Sequence, residues 1–171
     1  MVIGFLDETS PQTTANTQRL WSNGHPTLIK NTSKFRANTF GFYSINGCSV
    51  LEFHEHSKKE DVCEFLQSIR KKNPDADIVI VLDNFRSHRA NKTQEYTETN
   101  RMKLVFLPPY SPDLNPIEFI WKSIRRIISR TFVQDLDHLK QIILDTFNKL
   151  GCSLSFAKSW MAKFLASDLS I

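Results

Sequence analysis

Closely spaced cysteines are missing from this sequence. Cys48, Cys63 and Cys152 stand far apart, and no CxxC or HxxxH pair occurs. That spacing argues against a zinc finger or knuckle, and an odd, scattered set reads as reduced thiols of an intracellular protein. Glycine and proline are scarce, 5 and 7 of 171 residues, while hydrophobic residues reach 40%. Disordered and collagen-like chains are excluded on that balance. No apolar run approaches the roughly 18 residues of a membrane span; the longest strong one is Ile78–Leu82. No charged leader precedes an apolar stretch, so no signal peptide is read and a cytoplasmic setting is expected. Nor is there a large charge excess. Lys and Arg number 22 against 18 Asp and Glu, a net charge of +4, which permits a polyanionic partner without requiring one. The length suits one domain, large enough to fold without disulfides or a structural metal.

Hydrophobic patterning orders the elements. Val2–Leu6 reads as a short strand ending on Asp7-Glu8. A chain opening on a core strand is expected to be a fragment or one half of a longer system. Residues 9–37 form a long polar loop, with a short strand near Thr27–Lys30. Asn38–Ser44 and Cys48–His54 read as strands joined at Ile45-Asn46-Gly47, where Asn-Gly signals a hairpin. Lys59–Lys71 is an amphipathic helix stopped by Asn73-Pro74. Ile78–Leu82 is continuous and apolar, as in a strand buried on both faces. A polar helix over 89–100, a strand at Lys103–Leu107 and a Pro-rich connector from Pro108 to Pro116 follow.

A helix from about Pro116 to Ser129 carries Ile117, Trp121, Ile124 and Ile128 as its apolar stripe. Two more helices are expected near 135–149 and 154–166, with Gly151 at the C-terminus of the first and Phe156, Trp160 and Phe164 as a core stripe on the second. The order predicts an α/β fold with a mixed five-stranded, ribonuclease-H-like sheet flanked by helices. A phosphate-receiver domain, which needs regular βα alternation, fits poorly.

Three acids occupy positions where chemistry collects. Asp7 and Asp83 each follow an apolar strand, and sites in open α/β sheets gather at the strands' carboxyl ends. Glu118 lies in the first turn of a later helix. Carboxylates converging in one cleft repel one another and call for a cation. Oxygen-only ligands favour Mg²⁺ or Mn²⁺, and two such ions can clamp an in-line phosphoryl displacement. Plainer roles fit the same residues. Asp7 could open a turn and Asp83-Asn84 could cap one. Asn115-Pro116-Ile117-Glu118 matches a helix N-terminus with Pro at N1 and Glu at N3, a capping box needing no active site.

VLDNFRSH (81–88) followed by LPPYSPDLNPIEFIWKSIRR (107–126) resembles the catalytic core of mariner-like DDE transposases, closest to their prokaryotic insertion-sequence relatives. FLDETS (5–10) and RLWSNGHP (19–26) are similar to that family's first catalytic strand and the segment after it, and the 34 residues between Asp83 and Glu118 match its usual interval. The resemblance covers residues 3–130. It implies a catalytic core over 1–130, with 131–171 as C-terminal helices packed on the same domain. It further implies that Asp7, Asp83 and Glu118 are catalytic and bind two Mg²⁺ or Mn²⁺ ions. The expected reaction is cleavage at transposon ends to expose a 3′-OH, which then attacks target DNA at a TA dinucleotide. The expected partners are transposon-end and target DNA and a second copy of the chain in a homodimer, the expected place the nucleoid. The family's N-terminal helix-turn-helix modules are missing, so end recognition is expected from a region on a separate chain. A catalytically silent DNA-binding or assembly remnant is the competing reading.

The resemblance also assigns Asn84 and His88 to support the second acid, with a helix-start role as the alternative for His88. Lys122, Arg125, Arg126, Arg86 and Arg89 are candidate contacts to DNA phosphates, although a solvated basic face explains them too, and Lys122 could pair with Glu118 four residues earlier. Trp21 could stack on a base or pack on the sheet edge. His54 and His56 share a strand face; with no third ligand near them in sequence, they read as surface or sheet residues.

Overall fold

The strands are β1 (Val2–Thr9), β2 (Thr39–Ser44), β3 (Val50–Phe53), β4 (Ile78–Leu82) and β5 (Met102–Phe106). In the computed structural model, which describes residues 1–13, 23–24, 31–84, 88, 90–109 and 111–164, they lie in one sheet in the order β3-β2-β1-β4-β5. The antiparallel pairs are β1–β2 and β2–β3; β4 runs parallel to both β1 and β5. This is the ribonuclease-H-like sheet that the element order predicts. The antiparallel β1–β2–β3 half removes the receiver-domain alternative. The strand expected at Thr27–Lys30, with Trp21, Arg86 and Arg89, lies outside the described residues.

The helices are α1 (Lys59–Lys72), α2 (Asn91–Thr99), α3 (Ile117–Ile128), α4 (Leu136–Gly151) and α5 (Ser155–Phe164), with a short 3-10 turn at Pro112–Leu114 inside the Pro-rich connector. Period-2 alternation divides the sheet's side chains between two layers. Leu6, Ile80 and Leu82 face α1, where Val62, Phe65, Leu66 and Ile69 are buried. Phe5, Tyr43 and Val81 face α3, where Ile117, Ile120, Trp121, Ile124 and Ile128 are buried. Leu139, Ile143 and Phe147 of α4 and Ala157 of α5 enter this second core, with Phe156 and Trp160 packed at its border. The Trp160 ring meets Phe5 edge-on at 4.9 Å, and its Nε1–H donates to the Leu114 carbonyl at 2.8 Å. The C-terminal helices therefore hold the connector in place. The side chain of Phe164 lies outside the described residues.

Three local expectations change. β1 continues three residues past Leu6, because Asp7, Glu8 and Thr9 stay paired with Gly41, Phe40 and Thr39 of β2. Asp7 thus sits within a strand and opens no turn. The β2–β3 ladder stops at Thr39↔Phe53, leaving His54 and His56 beyond the strand. Gly47 does not take the positive φ of a tight Asn-Gly hairpin. Its constraint is space: a Cβ there would lie 2.7 Å from Asn73 Oδ1 and from a Val2 methyl. Gly151 ends α4, also without a positive φ. Cys63 is buried, Cys48 and Cys152 are exposed, and all three are free thiols. Among the described residues no helix is long and apolar enough to cross a membrane.

Candidate active site

β1 and β4 are parallel neighbours in the register Phe5↔Val81. Two residues further on, Asp7, still inside the paired part of β1, comes level with Asp83, just past the end of β4. Alternation sends Asp7 to the same face as Phe5, beneath α3, and Glu8 to the opposite face. Trp121 of α3 donates its Nε1–H to Asp7 Oδ2 at 3.0 Å. The first turn of α3 brings Glu118 to the same place. Asp7, Asp83 and Glu118 line one cleft of about 550 Å³, closed on its far side by Pro108, Pro109 and Pro112 of the connector.

The capping alternative for Glu118 fails. The first residue flanking α3 is Pro116, and no side chain caps the helix. Glu118 donates its backbone N–H to the Asn115 carbonyl at 3.1 Å, while its carboxylate lies 3.5 Å from Arg125 Nη2. The ion pair of Glu118 is therefore with Arg125, seven residues on, in place of the pair expected with Lys122. Arg125 also donates to Thr9 Oγ1 at 3.3 Å. Asp83 follows directly on β4, and α2 begins only at Asn91. Asn84 Nδ2 donates to the Leu107 carbonyl at 2.6 Å and ties the end of β4 to the start of the connector. Lys122 and Arg126 are exposed on α3.

His88 joins two acids. Its Nδ1 lies 3.0 Å from Asp83 Oδ1 and its Nε2 lies 3.1 Å from Glu8 Oε1, with the ring buried. Sequence reasoning missed Glu8 and the polar role of Trp121. The strand alternation held the signal for Glu8: a residue beside Asp7 in a continuing strand must face the other layer, where His88 arrives. Asn115 was read only as a cap; its Oδ1 is buried beside the cleft without a hydrogen-bond partner.

The electrostatics match a site short of positive charge. Burial raises the Asp7 pKa, and so do the charges of Glu118 and Asp83; backbone and Trp121 hydrogen bonds oppose them, and the result is about 7. Burial lowers the His88 pKa, but hydrogen bonds to Asp83 and Glu8 outweigh it and hold the ring at about 9. Among the described residues, the four acids Asp7, Glu8, Asp83 and Glu118 share their surroundings with three basic residues, His88, Arg125 and Arg36. All-oxygen donors with surplus negative charge fit hard divalent cations. The triad is open: its ligand oxygens do not all approach within 4.8 Å of one another.

Both pKa values are raised over the ordinary 3.8 and 6.5, so both contributions are present at low pH. The Asp7 contribution is lost as pH rises from about 4 through about 7, that of His88 from about 6.5 through about 9. In chelator-treated protein, Tm is expected to fall by roughly 5 °C or more between pH 5 and pH 9. Millimolar Mg²⁺ should recover more of it at pH 8 than at pH 5. Differential scanning calorimetry checks this; a Tm that rises with pH would contradict the charge balance.

Residues 2–140 match the family model described as DDE superfamily endonuclease. The chain is similar to the Tc3 transposase of the Caenorhabditis elegans transposable element, 37% identical over 71 residues, covering 40% of this chain and 21% of the relative. It is also similar to the uncharacterized 39 kDa protein of insertion element IS630 from Shigella sonnei, 30% identical over 54 residues, covering 31% and 16%. Both matches thus span about a fifth or less of the relative's length. Among solved structures, the mariner Mos1 paired-end complex with Mg aligns with a TM-score of 0.68 at 17% identity, over 97% of this chain and 55% of that one.

Proposed function

The chain belongs to the DDE superfamily endonucleases, as a mariner-type transposase catalytic domain, and on that premise we propose that it cuts DNA at the ends of a mobile element and joins the freed strand to target DNA. The observation that carries this reading is the convergence of Asp7, Asp83 and Glu118 in one cleft from neighbouring parallel strands and a helix start. These three residues would hold Mg²⁺ or Mn²⁺, two ions as the resemblance to the family implies, which when bound supply Lewis-acid stabilisation of the phosphoryl group and a more acidic water.

The chain's own residues set the stage for that chemistry. Trp121 fixes one oxygen of Asp7 and leaves the other facing the cleft. His88 orients Asp83 from behind and balances the charge of Glu8. Arg125 steers Glu118. This pair is half-exposed and worth little by itself, so Arg125 can exchange Glu118 for a DNA phosphate. In cleavage, water adds its oxygen to the phosphorus as the P–O3′ bond breaks, and a proton passes to the departing oxygen, leaving a 3′-hydroxyl and a 5′-phosphate. In transfer, that hydroxyl attacks a target phosphodiester and releases a new 3′-hydroxyl, with no covalent protein intermediate. Lys122 and Arg126, exposed on α3, would take phosphates, as would Arg86 and Arg89. A second copy of the chain would bring the second DNA end, and the working place would be the nucleoid. Residues 1–130 would form the catalytic core and 131–171 its buttress. An element-end reading region on a separate chain would supply sequence specificity.

Crystals soaked in Mn²⁺, with and without duplex DNA, test the metal assignment. Anomalous density touching at least two of Asp7, Asp83 and Glu118 is the expected result. No peak in either soak would overturn it. Binding to DNA is expected to weaken steeply with salt, and Lys122→Ala with Arg126→Ala should each lower the log–log salt slope by about 1. Titration over several salt concentrations measures this; an unchanged slope would remove these two from the DNA surface.

A further inference from the structure

The structure supplies the ligands that His54 lacks in sequence. Asp61 and Glu64, three residues apart on the first turns of α1, lie on one helix face, and the end of β3 delivers His54 to it. His54 Nδ1 stands 3.8 Å from Asp61 Oδ1 and 4.0 Å from Glu64 Oε2. One ligand atom from each residue lies within 4.8 Å of the others, the only such trio among the described residues. These distances are too long for hydrogen bonds. They are close to the spacing of atoms sharing one ion: bonds of about 2.0–2.2 Å in a tetrahedron place ligand atoms roughly 3.4 Å apart.

Independent features prepare each donor. Glu52 Oε2 lies 3.3 Å from the opposite ring nitrogen of His54, Nε2. A carboxylate there holds the proton on Nε2 and turns the Nδ1 lone pair toward the acids, the arrangement that orients metal-binding imidazoles. Phe40 and Phe65 meet the ring edge-on at 4.8 and 6.4 Å, and its side chain is only 11% exposed. Asp61 Oδ2 accepts the Lys58 backbone N–H at 2.8 Å, which leaves Oδ1 for a ligand. Glu64 is exposed and free to swing.

We propose that His54, Asp61 and Glu64 form a second metal site, distinct from the acid cleft, for a first-row transition cation of the Zn²⁺ class. An imidazole nitrogen with two carboxylates favours such a cation over Mg²⁺. Its role is structural. It ties the end of β3 to the start of α1 and stiffens residues 54–58 between them. That segment reaches the acids indirectly: Asn38 Nδ2 donates to the His56 carbonyl and to Ser57 Oγ, and Asn38 and Ser57 line the cavity shared with Asp7, Asp83 and His88.

The test uses the full 171-residue chain carrying Asp83→Asn and Glu118→Gln, so the acid cleft no longer competes and the outcome is independent of the catalytic reading. Chelator-treated protein is titrated with Zn²⁺ by calorimetry and with Co²⁺ by visible absorption. One equivalent should bind, with a d–d band for Co²⁺, a higher Tm with Zn²⁺, and no displacement by millimolar Mg²⁺. Glu52→Gln should weaken binding about 10- to 100-fold. His54→Gln should abolish the band. Glu64→Gln, at an exposed position that folding does not need, should weaken binding at least as much as Glu52→Gln. Absence of Zn²⁺ heat and of the Co²⁺ band, or equal affinity in Glu64→Gln and its parent, would overturn the proposal.

Discussion

Asp83→Asn is expected to reduce Mg²⁺-dependent DNA cleavage by about 10³-fold or more while the protein stays folded. Losing one carboxylate ligand removes several kcal/mol of stabilisation from the charged transition state, and each 1.36 kcal/mol is about tenfold in rate. Stability should change little. The Asp83 side chain is 56% exposed and its side-chain bond to His88 Nδ1 can be kept by the asparagine carbonyl. The two readouts therefore separate: nicking of supercoiled DNA collapses, and Tm moves by no more than a few degrees. Asp7→Asn should be equally inactive, but it also alters the acceptor of Trp121. Equal nicking by wild type and Asp83→Asn would strip Asp83 of its role. A wild-type chain that binds DNA with a steep salt dependence and never cuts it would establish the silent assembly module instead.

The sequence carried most of the sheet, because its signals were local. Ile78–Leu82 is apolar at every position and could only be a buried strand, and the α3 stripe of Ile117, Trp121, Ile124 and Ile128 is the buried face of that helix. Asp83 lay one residue past an unmistakable strand and was placed well. Asp7 was misplaced by local reading, since Asp7, Glu8 and Thr9 are polar; they remain in β1 because β2 supplies a ladder from residues 30 to 34 positions away. The same blindness hid Glu8. Nothing near it in sequence announces that residue 88 returns to it, and only the sheet and the loop after β4 together make that contact. Glu118 was ambiguous between cap and ligand because both uses share one sequence pattern. The structure removes the cap, since no side chain caps α3 and the carboxylate pairs with Arg125 from the last turn of the helix. The three residues beside His54 were out of reach for a related cause: His54 was assigned to a strand that stops at Phe53.

Trp121 joins the core to the chemistry, and its replacement should have the largest effect on folding. The side chain is fully buried, stacks on Phe147 at 5.7 Å, and fills the space that Gly41 leaves open; a Cβ at Gly41 would lie 2.5 Å from the indole. Trp121→Ala is expected to cost about 3–5 kcal/mol, a large share of a total near 5–15 kcal/mol. Trp121→Phe separates the ring from its N–H. Most packing is kept, but Asp7 Oδ2 loses its donor, at about 1–3 kcal/mol. The indole hydrogen bond is one of the influences that pull the Asp7 pKa down from the level burial and Glu118 impose. Without it the pKa rises above about 7, so at neutral pH more of the Asp7 carboxyl is protonated and cannot act as a ligand. Cleavage by Trp121→Phe should be depressed at pH 7, recover toward wild type near pH 9, and show an acidic limb displaced to higher pH. Gly41→Ala, which forces the indole aside, should shift the limb in the same direction. A merely structural tryptophan would lower the rate equally at every pH. A Trp121→Phe profile superimposable on wild type after scaling would therefore rule out the electrostatic role and leave only the packing.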